Sequence, residues 1–494
     1  MASYTKLNVQ TVSDMLSQNS NAQVTAWVMR ALQLGKASCV FYDNFIGGTG
    51  SGKPIIEMSD MNVKAGNTLV VPTLARLGGP GVQGNGERTG QEEKMRQGSF
   101  TTKTGRHWWG TALDSVAKNE TVIGTQWDLL RNEALGQLCN KEKSDTIQME
   151  LINNASGLNT IYANNVGSVE NLRSKDYFLT DTVSEGQEVL ATNAAKGMNI
   201  RKSTAGAPYR CFTYYLPHLG ASAMKRTTKY KDLIQFASER GDLNPGFTGD
   251  FAMIDGCGIY SDEVEDHDAY GPVGSPCLPR ARLGVAIAAG TGTFDIQGGG
   301  SAEGAALTAP LYFRWFNNSL WSSFNVTRRQ ASTSTTRYVL IKNVTGSDAG
   351  KFGMYSYTTN NGNKLTIVNR LGSAASSARV TTLGNVTWNT GVWNGLHTDV
   401  HPVGSIVMEC NSYGQTFCYG FGLGEMAAVA GHANIDGTLG IGIRTEEHRN
   451  HNMDHAIGLE TAWGCAVTQR TDGLANNYIL TVSAYNPPGL PNIV

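Results

Sequence analysis

The sequence is poor in charge. Only 16% of its 494 residues are Asp, Glu, Lys or Arg, against roughly 25% in an ordinary soluble protein. The signs also cancel, because forty basic against forty-one acidic side chains leave a net charge of -1. Such a chain has no global positive field with which to collect phosphate backbones, so any contact with nucleic acid is local and weak. No run approaches the roughly 18 to 20 consecutive apolar residues of a membrane span, and a soluble protein without membrane contact is expected. The opening MASYTKLNVQTVSDML lacks a basic region leading into an apolar stretch, so no secretory signal is read and a reducing compartment is expected. Cysteine is scattered: Cys39, Cys139, Cys211, Cys257, Cys277, Cys410, Cys418 and Cys465 contain no C-x-x-C pair. That excludes a zinc ribbon and a dense disulfide framework. Cys410 and Cys418 are spaced to pair across a hairpin, but without a secretory signal they are read with the others as buried thiols.

What the chain has in excess is glycine, 58 of 494 residues, near 12% against about 7% in average usage. Many turns and broad contact surfaces follow. A hydrophobic content of 40% excludes wholesale disorder, and the length implies two or three units at about 150 residues each.

Periodicity divides the chain. Val24, Trp27, Val28, Ala31 and Leu34 recur at helical spacing before Gly35. CVFYDNF then reads as a strand, GGTGSGK as a loop and NTLVVPTLARL as an extended run before a glycine-rich, charged tip, the pattern of a long protruding hairpin. Ile123, Trp127, Leu130, Ala134, Leu138, Ile147 and Leu151 mark one face of a helix over about 121–154, long enough to serve as a spine. Mixed segments follow, with a helix capped at Ser184 and Gln187 three residues on, a strand in RCFTYYL, a helix in KDLIQFASERG and strands in FAMIDGCGIY and RARLGVAIA. The class is α+β. A Gly- and Ala-rich run at 288–309 reads as a linker, after which LYFRWF, RYVLIKN, FGMYSY, KLTIVN, ARVTTL and GSIVME arrive as short strands. An inserted β-sandwich-like domain with its own core is placed at 291–402, with nine Lys and Arg against four Asp and Glu. Beyond it, GLGEMAAVAG reads as helical and TAWGCAVTQ and YILTVSAY as closing strands.

Three motifs invite a chemical reading. Gly47, Gly52 and Lys53 match the phosphate-binding G-x-x-x-x-G-K, but Pro54 stands where a metal-binding hydroxyl belongs and no long helix follows, so a plain glycine-rich loop is expected. His448, His451, Asp454 and His455 have metal-ligand chemistry, yet the stretch lacks an apolar face and an HExxH glutamate, which favours a solvated loop or a polar contact between subunits. Glu92 and Glu93 could do acid and base work but sit among Arg88, Lys94 and Arg96 on the exposed hairpin, a charge cluster for subunit contact. No catalytic, cofactor-binding or metal-binding residue is therefore assigned, and the chain is not read as an enzyme.

The run NVKAGNTLVVPTLARLGGPGVQGNGERTGQEEKMRQGSFTTKTGRHWW, the long helix after it, and the later YYLPHLGASAMKRTTKY and NPGFTGDFAMIDGCGIY together resemble tailed-bacteriophage major capsid proteins. More narrowly they are similar to the branch typified by the coliphage N-four shell protein. The resemblance covers roughly 10–290 and 403–486 and is most specific from Lys64 to Glu93. It implies the Hong Kong phage capsid fold. The layout would be an N-terminal arm at 1–40 and an extended E-loop, at about 60–107, with a P-domain and spine helix inside 41–204. The A-domain would begin at 205–290, with its remainder and the C-terminal P-domain strands at 403–494. The implied function is a structural protein of the virion, assembled in the host cytoplasm into hexamers and pentamers of an icosahedral head around double-stranded DNA. The implied partners are further copies of the chain, a portal, a decoration protein and the weakly held DNA. No charged helical extension that could act as a built-in scaffold precedes the arm, which implies a separate scaffolding protein. A non-viral encapsulating compartment would share the same fold and differ in its contents.

Overall fold

The computed structural model describes residues 40–58, 68–74, 95–114, 126–202, 208–236, 254, 257–262, 280–282, 286, 293–295, 337–359, 364–371, 379–380, 382–383, 386–387, 398, 400–402, 404–411, 413–432, 441–449, 454–470 and 476–485. The expected helix at 24–34, the hairpin tip with Glu92 and Glu93, and the expected strand LYFRWF lie outside the described residues.

The spine helix runs Gln126–Asn153, about 42 Å at 1.5 Å per residue. Ile147, Met149, Leu151 and Ile152 enter the main core, while Lys141, Lys143, Ser144, Asp145 and Gln148 are buried as well. A helix so enclosed must satisfy its polar side chains internally. Gln148 Nε2 donates to Ser144 Oγ at 3.0 Å, and Lys141 pairs with Asp145 one turn on.

Two sheets flank it. The six-stranded sheet runs Ile46–Gly48, Ile55–Met58, Ala428–His432, Asp454–Val467, Ile441–Arg449, with Gly105–Asp114 also paired to the Asp454–Val467 strand. Its first two pairings are parallel and the others antiparallel. The twelve-stranded sheet runs Gly258–Asp262, Thr213–Pro217, Thr416–Leu423, Ile406–Cys410, Arg337–Lys342, Phe352–Thr359, Lys364–Leu371, Thr293–Asp295, and carries four further strands off this path. Thr416–Leu423 is buried at every residue and pairs along its whole length with Tyr478–Tyr485. That is the pattern of a strand covered on both faces, not of one that alternates between core and water. The main core gathers Phe41, Phe45, Ile147, Leu151, Tyr215, Phe421 and Trp463. A second cluster seats Val183 and Leu190 of the helix Thr180–Thr192 against Tyr214, Leu216 and Ile259. Gly186 is required there, since a Cβ would lie 1.4 Å from Tyr214 Oη.

The spine, the hairpin strands and the closing strands fall where periodicity places them, but on the spine Ala134 is exposed and Leu135 and Cys139 are buried against Leu459 instead. Four expectations do not hold. CVFYDNF contains the helix Val40–Phe45, because Phe41 and Phe45, four residues apart, close together on the Tyr215 ring at 4.8 and 5.7 Å between centroids. That shared contact outweighs the strand preference of Val, Phe and Tyr. GLGEMAAVAG is not helical: Met426 takes a φ of 57°, and Ala428–His432 is a fully buried strand between two others. Its small residues serve close packing, as a Cβ on Gly431 would meet Leu69 Cδ2 at 2.9 Å. Ser184 is no cap, since its helix begins at Thr180 and Ser184 Oγ donates back to Thr180 O at 3.4 Å.

The fourth correction concerns the β-rich stretch. Arg337–Lys342 pairs antiparallel with Ile406–Cys410, from Tyr338↔Cys410 to Lys342↔Ile406. The expected boundary at residue 402 therefore falls between two strands hydrogen-bonded to each other. Ile341 and Tyr355 belong to the main core cluster, so these strands share the core of the surrounding fold and the described residues do not form a separate sandwich.

Candidate functional site

The long hairpin pairs Thr68–Leu74 with Gln97–Lys103, in register from Thr68↔Lys103 to Leu74↔Gln97. Strand alternation gives it two faces. Val71 and Phe100 turn inward and pack on Val429, with Leu69 and Met58 beside them. Outward lie Val70, Pro72 and Leu74, with Val70 55% and Leu74 63% exposed, and Met95 is 47% exposed just ahead of the second strand. A neutral apolar stripe on a projecting ribbon is what a contact surface presents.

The strand Ala428–His432 holds that hairpin to the rest of the chain. Val429 and Gly431 meet the hairpin on one side. Ala428 and Ala430 join the core that contains Ile147 and Leu151 of the spine. His432, two residues after Ala430, shares the spine side, and there it meets Glu57 and Lys143. Glu57 accepts a short hydrogen bond from His432 Nε2, and Lys143 Nζ lies 3.6 Å from Glu57 Oε1 and 3.5 Å from His432 Nε2. The hydrogen bond from His432, together with the charges of His432 and Lys143, holds the Glu57 carboxyl below its ordinary value against the opposing effect of burial. Lys143 also stands 5.6 Å over the Tyr42 ring, and burial followed by the Glu57 charge pushes the Tyr42 phenol well up. The cluster ties three segments together.

The phosphate-loop lookalike is a capping device. Lys53 Nζ donates to Asp43 O at 2.5 Å and Ile46 O at 2.9 Å, closing carbonyls at the end of the helix Val40–Phe45. Residues Ile55–Met58 continue as a strand where a phosphate loop would start a helix. The histidine motif is divided by a strand pair. His448 lies in Ile441–Arg449 and Asp454 and His455 in Asp454–Val467, with Arg449 opposite Asp454, while His451 lies outside the described residues. It is not the loop that the sequence suggests at either end. Among the described residues no group of three or more His, Cys, Asp or Glu is placed to hold a metal ion. Glu92 and Glu93 lie outside the described residues. Cys410 and Cys418 are buried, and Cys418 Sγ faces Ser483 Oγ at 3.1 Å.

A second polar network lies in the twelve-stranded sheet. His401, fully buried, is 2.5 Å from Asn343 Oδ1 through Nδ1 and 2.7 Å from Tyr355 Oη through Nε2. Asn343 Nδ2 donates to Val400 O at 2.9 Å, which fixes the amide so that Oδ1 accepts from Ser405 Oγ at 3.2 Å. This network fastens the connection at 398–405 to the strands before it. None of Glu57, Lys143, His432 or His401 is marked by a local motif. Lys143 and His432 are 289 residues apart, and only folding brings them together.

No protein-family model matches the sequence, and no curated protein does. Solved structures do match, over nearly the whole chain. The capsid of Ralstonia phage GP4 is 11% identical and aligns with a TM-score of 0.53 over 95% of this chain and 96% of its own. The capsid of cyanophage Pam1 is 11% identical with a TM-score of 0.50, over 94% and 97%. The capsid of Helicobacter pylori bacteriophage KHP30 is 14% identical, also at 0.50, over 95% and 97%. The chain has the fold of these phage capsids.

Proposed function

We propose that the chain is a major capsid protein of a tailed bacteriophage, which assembles into the hexamers and pentamers of an icosahedral head enclosing double-stranded DNA. The observation that carries this reading is the correspondence with phage capsid folds over 94% to 95% of this chain and 96% to 97% of theirs. The hairpin supports it on physical grounds. Its stripe of Val70, Pro72 and Leu74 is a liability on a monomer and an asset when laid on a neighbour, where charges at the rim set the register. A net charge of -1 lets many copies stand side by side without mutual repulsion and keeps contact with packaged DNA weak.

In this reading the hairpin is the E-loop. The spine helix with the six-stranded sheet forms the P-domain, and the twelve-stranded sheet forms most of the A-domain. Residues 1–40 are the N-terminal arm. The chain acts structurally, without catalysis or a cofactor, and its partners are its own copies, a separate scaffolding protein, a portal and a decoration protein. Assembly takes place in the host cytoplasm and the product is the virion head.

Sedimentation of the chain expressed with its genomic neighbours tests the proposal. Megadalton particles that dissociate when Val70 and Leu74 are both changed to Asp are expected. A monomer at every concentration, with and without those neighbours, would overturn it. Particles filled with a cargo protein instead of DNA would identify a non-viral compartment.

A further inference from the structure

The Glu57–Lys143–His432 cluster sits where the hairpin-bearing sheet meets the spine, and Glu57 supplies the counter-charge that Lys143 faces there. We propose that these three residues form a proton-operated latch between the spine helix and the sheet that carries the hairpin, closed near neutrality and released in acid. The latch is a property of the single chain and stands whether or not the chain builds a capsid.

The argument begins with burial. The Lys143 side chain is 4% exposed and that of His432 8%, whereas Glu57 reaches solvent at 29% and gives protons a way in. The Glu57 carboxylate is the counter-charge that the Lys143 ammonium faces, at 3.6 Å, and it also accepts from His432 Nε2. A proton added to Glu57 would remove that counter-charge. The step leaves excess positive charge in a site with little water, and an uncompensated buried charge is strongly unfavourable.

The surrounding groups do not offset this. From the helix Val40–Phe45, Tyr42 presents its ring to Lys143, and its phenol stays neutral because burial raises it; Asp43 and Cys139 act on Tyr42. Lys141 and Asp145, on the same helix as Lys143, balance each other. Linkage gives the pH window. A carboxyl whose folded value lies below its ordinary 4.5 contributes stability that is present above 4.5 and disappears as the pH falls through the folded value.

What the latch holds is defined by the strand Ala428–His432. On one face it bears His432, and on the other Val429 and Gly431, which seat the hairpin through Val71, Phe100 and Leu69. Opening the latch should therefore loosen strand 428–432 and the hairpin strand 97–103 together, while leaving Thr416–Leu423 protected.

Amide hydrogen exchange of the full chain, with rates corrected for the intrinsic effect of pH, tests this at about pH 7 and about pH 3.5. Protection at 428–432 and 97–103 is expected to fall about tenfold for each pH unit by which the folded carboxyl is displaced. Glu57→Gln should show low protection that is flat with pH. The double variant Glu57→Gln with Lys143→Met, which removes the Lys143 charge together with its counter-charge, should regain protection relative to Glu57→Gln alone. Where Glu57→Gln does not fold, Lys143→Met alone should lose less protection in acid than the natural chain, because one of the two groups that hold the Glu57 carboxyl down is gone. Equal protection of the natural chain at both pH values would overturn the latch, as would an acid loss in Lys143→Met as large as in the natural chain.

Discussion

Replacing residues 291–402 by a short Gly-Ser linker is the perturbation on which sequence and structure disagree most. If that stretch were a domain with its own core, its removal would leave the rest intact. In the structure its strand Arg337–Lys342 covers one edge of Ile406–Cys410, and Ile341 and Tyr355, at 0% and 1% exposure, lie in the main core. Burying a side chain of this size contributes about 1.5–3 kcal/mol, so losing the pair costs about 3–6 kcal/mol. Stripping the pairing residues from Ile406–Cys410 adds to that cost and bares an edge that invites aggregation. A net folding stability of about 5–15 kcal/mol does not absorb such a loss comfortably. The linker variant is expected to be insoluble, or to unfold at a far lower temperature than the full chain. Ile341→Ala is the graded version and should cost about 2–4 kcal/mol in chemical denaturation. A soluble deletion variant melting within about 2 °C of the full chain would refute the shared core, because at about 2.1 cal/mol/K of unfolding entropy per residue a loss of about 3–6 kcal/mol shifts the midpoint by about 3–6 °C.

Three further outcomes are expected. Lys53→Ala should remove two hydrogen bonds to the carbonyls of Asp43 and Ile46 and cost about 1 kcal/mol, being partly exposed; calorimetry should find no ATP binding before or after the change. Gly186→Ala should cost about 2–4 kcal/mol through the clash with Tyr214. Tyr214→Phe, which removes a buried hydroxyl that has no hydrogen-bond partner among the described residues, should cost under about 1 kcal/mol and partly rescue Gly186→Ala in a double-mutant cycle. Elemental analysis of tag-free protein should find no stoichiometric zinc or nickel attached through His448, His451 and His455.

Features with a local cause were legible in the sequence. The spine could be read because apolar residues recur at helical spacing from Trp127 to Leu151, and the hairpin strands because NTLVVPTLARL is extended and bounded by glycine. The misreadings share a cause, which is that distant partners decided the outcome. Val40–Phe45 became a helix to place two rings on Tyr215, and Ala428–His432 a strand because Ile55–Met58 and Asp454–Val467 lie on either side of it. The inserted stretch looked separate because composition changes sharply near residue 290, whereas sheet pairing follows hydrogen bonds and takes no account of composition. The latch was invisible for the strongest version of the same reason. KEKSD around Lys143 reads as a solvated helix face, and nothing near Glu57 or His432 announces that they will meet it.

Electron cryomicroscopy of particles purified from cells expressing the chain with its genomic neighbours tests the central claim most directly. Closed shells are expected, built from rings of six and five copies, with one 28-residue spine helix resolved in each copy and the apolar face of each hairpin covered by the adjacent copy. Shells of another protein, or no ordered particle containing this chain under any condition of assembly, would contradict it.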